Sequence, residues 1–198
     1  GLMTGIFLDQ HEVRDGLVNG LALGKSVLNM FSYTAAFSVA AAMGGAVETT
    51  SVDLAKRSRE LSTAHFEANG FSMDNHRLVV MDVFDYFKYA KKKGLSYDLI
   101  VIDPPSFARN KKRTFSANKD YHKLIAQSLD ILSEHGTIIA STNAANMTVQ
   151  QFKKQLRKGL GDVSADFVNL QQLPADFTVN PNDPTSNYLK VYTIKVNK

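Results

Sequence analysis

The chain has 198 residues, a formal net charge of +4 and no cysteine. The lack of cysteine excludes disulfides, thiolate metal ligands and a cysteine nucleophile, and the five histidines show no metal-ligand spacing. No apolar run approaches the roughly 20 residues that a membrane-spanning helix needs, so we expect a soluble, cytoplasmic protein that binds neither membrane nor metal. The mild positive charge favours contact with a polyanion without establishing it.

Residues 1–25 come before the regular alternation of the later sequence. Ile6-Phe7-Leu8 is a strand-like run, and the residues after it have helical character. We predict a strand and a helix that lie against the mouth of a sheet, as an extension to a main domain over residues 26–198. Because the chain opens with Gly1 and Leu2 ahead of Met3, we also expect it to be the back part of a longer protein.

From residue 26 onward, short apolar runs alternate with helix-period segments, which predicts an α/β fold with a mostly parallel sheet. The seven predicted strands are 26–31, 48–52, 76–81, 97–102, 137–141, 165–173 and 188–196. The run Leu99-Ile100-Val101-Ile102 is continuously apolar, as expected for a strand covered on both faces. A long polar stretch with three prolines joins the last two strands, so we expect that pair to be antiparallel.

Two of the intervening helices have a clear predicted face. One face comprises Tyr121, Leu124, Ile125, Ser128, Leu129 and Leu132, and the other comprises Leu54, Leu61, Ala64 and Ala68. Gly70 and Gly136 stand where these helices should end.

Polar side chains stand at the ends of four successive predicted strands. Asn29 lies within the end of the first, and Asp53, Asp82 and Asp103 directly follow the next three. Ligands of open parallel sheets bind beyond the carboxyl ends of the strands, so these side chains are candidates for a binding site. The sequence predicts an acidic edge there.

Asp53 and Asp82 each allow two interpretations. The two oxygens of the Asp53 carboxylate suit a pair of ribose hydroxyls, although the same residue could cap a helix from Leu54 onward. Asp82 could accept a hydrogen bond from an adenine amino group, with Val83 or Phe84 against the ring, and capping is the stronger rival here.

The first turn has the sequence Phe31-Ser32-Tyr33-Thr34-Ala35-Ala36-Phe37, with alanines where a dinucleotide site has glycines. This argues against a pyrophosphate cradle. It favours a nucleoside ligand without phosphates, such as S-adenosylmethionine.

The run Asp103-Pro104-Pro105-Ser106-Phe107 is a second candidate site. Asp103 and the carbonyl of Pro104 form a rigid surface of hydrogen-bond acceptors that suits a base amino group, and Phe107 could stack on a flipped-out base. The alternative is a proline-stiffened turn with Phe107 in the core.

A basic loop follows at once. Arg109, Lys111, Lys112 and Arg113 would lie beside the pocket and could hold RNA phosphates, although such runs are often only solvated loops.

Several motifs together resemble a known family, the bacterial class I methyltransferases that modify large-subunit ribosomal RNA, including the cytosine-C5 enzyme of that group. They are Phe7-Leu8-Asp9-Gln10, residues 29–34, Ser51-Val52-Asp53, Asp103-Pro104-Pro105-Ser106-Phe107 and Asn187-Tyr188-Leu189-Lys190, and they extend over nearly the whole chain.

The resemblance implies a Rossmann-like, seven-stranded sheet with helices on both faces and the last strand antiparallel. It also implies S-adenosylmethionine as cofactor, RNA (23S rRNA) as partner, a preceding PUA-type RNA-binding domain and a possible homodimer. Cofactor contacts are implied at Asn29, Phe31, Ser32, Asp53, Asp82 and Asp103, with Gln10 and Arg14 facing the cofactor and Arg14 near its carboxylate.

The chain departs from this family at one position. Cytosine-C5 methylation needs a nucleophile, and the family has cysteine at the end of the fifth strand, where this chain has Ser141, Thr142 and Asn143. Transfer to a ring nitrogen or amino group, with Asp103 as proton acceptor, therefore competes equally with C5 transfer. Two other classes stay open: a non-catalytic RNA-binding or assembly module, and a nicotinamide-dependent oxidoreductase.

Overall fold

The structure is a computed structural model, and it describes residues 5–109 and 114–198. Its strands are β1 (Ser26–Met30), β2 (Glu48–Asp53), β3 (His76–Val80), β4 (Tyr97–Ile102), β5 (Phe107–Arg109), β6 (Thr114–Ser116), β7 (Leu132–Thr142), β8 (Ser164–Gln171) and β9 (Lys190–Asn197). Its α-helices are α1 (His11–Gly16), α2 (Ala36–Met43), α3 (Lys56–Ala68), α4 (Val83–Lys93), α5 (Ala117–Leu129) and α6 (Val149–Leu160). Short helical segments of other types span Leu8–Gln10, Leu17–Leu21 and Pro184–Ser186.

Seven strands form one sheet in the order β3-β2-β1-β4-β7-β9-β8. The first five in this order are parallel, and β9 is antiparallel to both of its neighbours. The predicted seven-stranded sheet and its antiparallel last strand are confirmed. The strand order reverses between β1 and β4, which is where open α/β sheets form a binding crevice.

Helices cover both faces of the sheet. The side chains of α4, α5 and α6 pack with Ile100 and Ile102 of β4, and those of α1 and α2 pack with Leu99 and Val101 from the other face. This two-sided burial explains the continuous apolar run of β4, because each successive side chain enters a different core.

The N-terminal segment differs from the expected strand and helix. The Leu8–Gln10 turn is a 3-10 helix, and Ile6, Phe7 and Leu8 are exposed. The helical residues that follow contribute Val13 and Leu17 to the core. Gly44, at the end of α2, lets the backbone at Leu17 lie close to this helix end. A Cβ at Gly44 would lie only 2.0 Å from the Leu17 carbonyl oxygen.

The predicted face of α3 is wrong. Leu54 precedes the helix and is 54% exposed, Leu61 is 41% exposed, and the buried face is Ser58, Ser62 and Phe66. The two serines are small enough to let the helix lie close to the sheet. A prediction that assigns the apolar residues to the inner face therefore selects the wrong side of α3.

Gly136 does not end a helix. The α5 helix ends at Leu129, and Gly136 lies inside β7, which begins five residues earlier than predicted. Leu132 lies directly beside it, since a Cβ on Gly136 would lie 2.6 Å from the Leu132 Cγ. Gly70 does follow the end of α3, with φ +78°.

A short antiparallel hairpin, β5–β6, was not predicted. Phe107 pairs with Ser116 and Arg109 with Thr114, so the segment after the two prolines turns back towards the sheet. Lys111, Lys112 and Arg113, predicted to bind RNA, lie outside the described residues.

Candidate functional site

A cavity of about 510 Å³ lies beyond the carboxyl ends of β1, β2, β3, β4 and β7. This volume is within the usual range for small-molecule sites. The predicted site residues that line it are Gln10, Arg14, Phe31, Ser32, Asp53, Asp82, Val83, Asp103, Pro104 and Arg109. The structure therefore brings together side chains that are distant in sequence, as the strand-end pattern predicts.

The turn after β1 has an unusual backbone. Phe31, Tyr33 and Ala35 have φ values of 59°, 50° and 60°, in the left-handed region that residues other than glycine rarely adopt. This conformation costs on the order of 1 kcal/mol or more at each residue and occurs mainly at functional sites. Here it directs the start of α2, which has no side-chain cap, into the cavity at Ala36. That end of α2 favours a negatively charged ligand group.

Asp53 ends β2 and is fixed by three hydrogen bonds. Its Oδ2 accepts from the Tyr33 backbone N–H at 2.9 Å, and its Oδ1 accepts from the Ala55 N–H at 2.8 Å and the Ser58 hydroxyl at 3.2 Å. It does not cap a helix from Leu54, because α3 begins at Lys56. A carboxylate has about four acceptor positions, so one remains for a ligand hydroxyl in the cavity.

Asp82 caps a helix, which is one of its two predicted roles. It is the N-cap of α4, where its Oδ1 accepts from the Phe84 N–H at 3.0 Å and the Asp85 N–H at 3.2 Å. It also lines the cavity together with Val83. Capping therefore orients the carboxylate and does not compete with a binding role.

An aromatic wall stands beside Val83. The ring of Phe115, on β6, lies 6.3 Å from that of Phe31 and 6.2 Å from that of Phe84. All three rings line the cavity, and they offer a flat ligand such as adenine an apolar surface.

Asp103 is held by a short chain of hydrogen bonds. The side-chain amide Nε2 of Gln10 donates to the Asp103 Oδ2 at 3.0 Å. The Ser141 hydroxyl donates to the side-chain Oε1 of Gln10 at 3.2 Å. Burial raises the pKa of Asp103 to about 6, and the charge of Asp9 acts in the same direction, while hydrogen bonds from Ser141 and Gln10 oppose the shift. A carboxylate with this pKa can accept a proton near neutral pH.

Residues 2–190 match the family model described as S-adenosylmethionine-dependent methyltransferase. The chain belongs to this methyltransferase family. Its cofactor is S-adenosylmethionine, and the nicotinamide-dependent alternative is set aside. The residues of the cavity fit this cofactor, since Asp53 offers a carboxylate to a ligand hydroxyl and the aromatic wall offers an apolar surface to a flat ring.

Relatives of this methyltransferase include the Bacillus subtilis protein YwbD, provisionally named a ribosomal RNA large subunit methyltransferase. It is 48% identical over 197 residues, which are 98% of this chain and 50% of YwbD. Ribosomal RNA large subunit methyltransferase K of Neisseria meningitidis is 36% identical over 178 residues, which are 89% of this chain and 48% of that protein. The methyltransferase therefore spans about half the length of the curated relatives that it matches.

A crystal structure of SMU.776, provisionally classed as a methyltransferase and complexed with SAH (S-adenosylhomocysteine), has the same fold with a TM-score of 0.96. The two are 72% identical, and the match covers 99% of this chain and 51% of that one.

Among the predicted site residues that the structure describes, Asn29 and Phe107 do not line the cavity of the methyltransferase. Asn29 is fully buried, and its amide donates to the Ser38 hydroxyl at 3.0 Å, because alternation along β1 turns it towards α2. Phe107 is 61% exposed at the start of β5, outside the cavity and not in the core. Asn29 thus lies outside the cavity lining, and its contact with the cofactor stays a prediction.

The sequence prediction missed several lining residues, among them Asp9, Arg57, Phe115 and Asn143. Asp9 lies in a quoted motif, next to Gln10, and could have been found from that position. Phe115 could not, since its place depends on the unpredicted β5–β6 hairpin. Among the described residues, no metal-binding cluster of His, Asp or Glu occurs and no helix is long and apolar enough to cross a membrane.

Proposed function

We propose that this methyltransferase transfers the methyl group of S-adenosylmethionine to a nitrogen of a base in large-subunit ribosomal RNA. The observation that carries the proposal is the partly buried Asp103 carboxylate beside Pro104 at the cavity wall. The names of the relatives support the choice of RNA.

A nitrogen target is favoured because the C5 route has no suitable nucleophile. The chain has no cysteine, and Ser141 and Thr142 are both completely buried. The Ser141 hydroxyl donates to Gln10, and Thr142 accepts from the Ala144 N–H at 3.3 Å. Asn143 reaches the cavity, but its amide is not a nucleophile.

Two arginines that line the cavity from different elements support an RNA substrate. Arg57 at the start of α3 and Arg109 at the end of β5 both line the cavity and are exposed. They could hold phosphates on either side of an extruded nucleotide, and the exposed ring of Phe107 could stack on a neighbouring base. The RNA contacts predicted for Lys111, Lys112 and Arg113 stay predictions, because these three residues lie outside the described ranges.

The proposed mechanism needs alignment and a proton acceptor. When bound, S-adenosylmethionine supplies an electrophilic methyl group, and its sulfur keeps the electron pair of the broken carbon–sulfur bond. The acceptor surface of Asp103 and the Pro104 carbonyl orients the N–H edge of the base. Asp103 takes the proton that the base nitrogen loses, and Gln10 holds the carboxylate in place.

The test uses S-adenosylmethionine with a deuterated methyl group and two substrates, deproteinised ribosomal RNA and assembled large subunits, both from cells that lack the gene. Nucleosides from the digested RNA are then analysed by mass spectrometry. We expect a deuterated methyl group on a ring or exocyclic nitrogen. Deuterated 5-methylcytidine would contradict the nitrogen target, and no transfer to either substrate would favour the non-catalytic alternative.

A matched pair of variants tests whether methyl transfer depends on the cavity. Asp53→Asn should lower transfer about tenfold or more through weaker cofactor binding, because hydrogen bonds to charged groups are the stronger ones. Asp162→Asn changes the charge equally at an exposed position outside the cavity and should have no effect.

A further inference from the structure

The side chain of Lys190 is buried at the start of β9, with only 3% of the residue exposed. Its Nζ donates to the backbone carbonyl oxygens of Ala144 at 2.9 Å and of Tyr188 at 2.8 Å, and no carboxylate in the described part of the chain forms a salt bridge with it. Burial lowers the pKa of Lys190. A lysine buried without a carboxylate is costly, because it must either hold its charge away from water or release a proton. Such departures from ordinary packing are expected at functional sites.

One partner of this amino group belongs to the turn that follows β7. The Ala144 carbonyl oxygen also accepts from the Met147 N–H at 3.1 Å, which closes a tight turn. Asn143, directly before this turn, is exposed and lines the cavity. On the other side of Asn143, the buried Tyr121 hydroxyl donates to the Ser141 carbonyl oxygen at 2.8 Å. Buried side chains therefore hold the backbone both before and after this cavity residue.

The other partner belongs to the segment that leads into β9. The Tyr188 hydroxyl donates to the Asp9 Oδ2 at 3.0 Å, and Asp9 lines the cavity from the N-terminal segment. Lys190 thus joins the turn after β7 to a segment that contacts another part of the cavity wall. It does not line the cavity itself, so any effect on the reaction must act through these neighbours.

We propose that the amino group of Lys190 is a positioning group for methyl transfer. By holding the two segments at a fixed spacing, it keeps Asn143 and the adjoining wall in place in the cavity that also contains Asp103. Transfer requires the acceptor to be aligned with the methyl group, and a displacement of about 1 Å can lower the rate on the order of 100-fold. The role concerns methyl transfer itself and does not depend on which atom of the base is methylated.

The absence of cysteine from the chain allows a test by chemical rescue. Lys190→Cys introduces a single thiol, and alkylation of the unfolded chain with bromoethylamine then gives a side chain with the length and the terminal amino group of lysine. Alkylation with propyl bromide gives the same length without the amino group. Lys190→Met also lacks the amino group and needs no refolding. The controls are wild-type protein taken through the same unfolding and Lys195→Met, which changes an exposed lysine of the same strand.

Total methyl transfer to deproteinised ribosomal RNA and the affinity for S-adenosylhomocysteine are measured for each form. We expect the methionine and propyl forms to lose about 10- to 100-fold in kcat and to keep this affinity within about threefold. The aminoethyl form and Lys195→Met should have the wild-type kcat. Amide hydrogen exchange over residues 144–147, measured without RNA, should be about tenfold faster in the forms without the amino group and should return to the wild-type rate in the aminoethyl form.

Three results would overturn the proposal. The first is a wild-type kcat and wild-type exchange in the forms that lack the amino group. The second is an aminoethyl form that binds S-adenosylhomocysteine normally but does not regain kcat. The third is a parallel loss of S-adenosylhomocysteine binding and kcat, which would mean that Lys190 only stabilises the fold. If the wild type itself transfers no methyl group to RNA, the proposed function fails, and the exchange rates alone decide whether Lys190 holds this turn.

Discussion

At the scale of single residues, the carboxyl group of Asp103 combines a cost in stability with a proposed role in proton transfer. Burial raises its pKa to about 6, so the folded chain ionises it less readily than the unfolded chain does. Below about pH 4 the group is protonated in both states, and this cost is absent. The cost grows as the pH rises and is complete above about pH 6, where the ionised group is the required proton acceptor.

Asp103→Asn should therefore make the protein more stable and less active. At pH 8 we expect the free energy of unfolding to rise by up to about 3 kcal/mol, and at pH 4 we expect no gain. The turnover rate should fall about a hundredfold or more, and its rise between pH 5 and 7 should disappear. Urea unfolding at the two pH values and a pH profile of methyl transfer measure both effects.

Asp162→Asn is the matched control for this prediction and should change neither property. An Asp103→Asn protein that keeps its turnover rate would exclude Asp103 as the proton acceptor. A gain in stability that is equal at pH 4 and pH 8 would show that ionisation is not its cause.

At the scale of elements, a buried histidine attaches the edge strand β3 to the rest of the fold. The His76 ring stacks on Phe66 of α3 with centroids 4.5 Å apart, and its Nδ1 lies 2.9 Å from the Thr49 hydroxyl on β2. Burial lowers the pKa of His76 below its ordinary value of 6.5, so the folded chain favours the neutral ring. This stabilisation is present above pH 6.5 and is lost as the pH falls through the lower pKa of the folded state.

We predict that His76→Gln reduces the loss of stability that the wild type shows between pH 7.5 and pH 5. The variant is less stable at pH 7.5 because it loses the stacked ring, but its unfolding free energy should fall less steeply on acidification. His135→Asn changes an exposed residue of β7 with a positive φ, and its unfolding free energy should fall between pH 7.5 and pH 5 as steeply as that of the wild type. If the unfolding free energy of His76→Gln fell with pH as steeply as that of the wild type, the loss of stability would not come from His76.

The elements also show what the sequence could and could not predict. Continuous apolar runs located β4 and its neighbours, because such runs are buried on both faces. The inner face of α3 was missed because Ser58 and Ser62 are buried, which depends on close packing and not on polarity. The β5–β6 hairpin was missed because each of its strands has only three residues, too few for a sequence pattern to show.

At the scale of the whole molecule, the cavity is assembled from residues between Ile6 and Asn143, which adjoin five strand ends. The sequence could predict Asp53, Asp82 and Asp103 together, since parallel strands bring their carboxyl ends to one edge. It could not predict that Asn29 turns away from the cavity, because one step along a strand reverses the direction of a side chain. Asp9 could have been found from its position in the motif next to Gln10, but only the structure shows that it lines the cavity.

The most direct test of this account is a crystal structure of the protein with S-adenosylhomocysteine. We expect a ribose hydroxyl within hydrogen-bonding distance of the Asp53 carboxylate, the adenine ring against Val83 and the aromatic wall, and the sulfur on the Asp103 side of the cavity. A ligand bound outside this cavity, or one bound in reverse with adenine beside Asp103 and Pro104, would contradict the account.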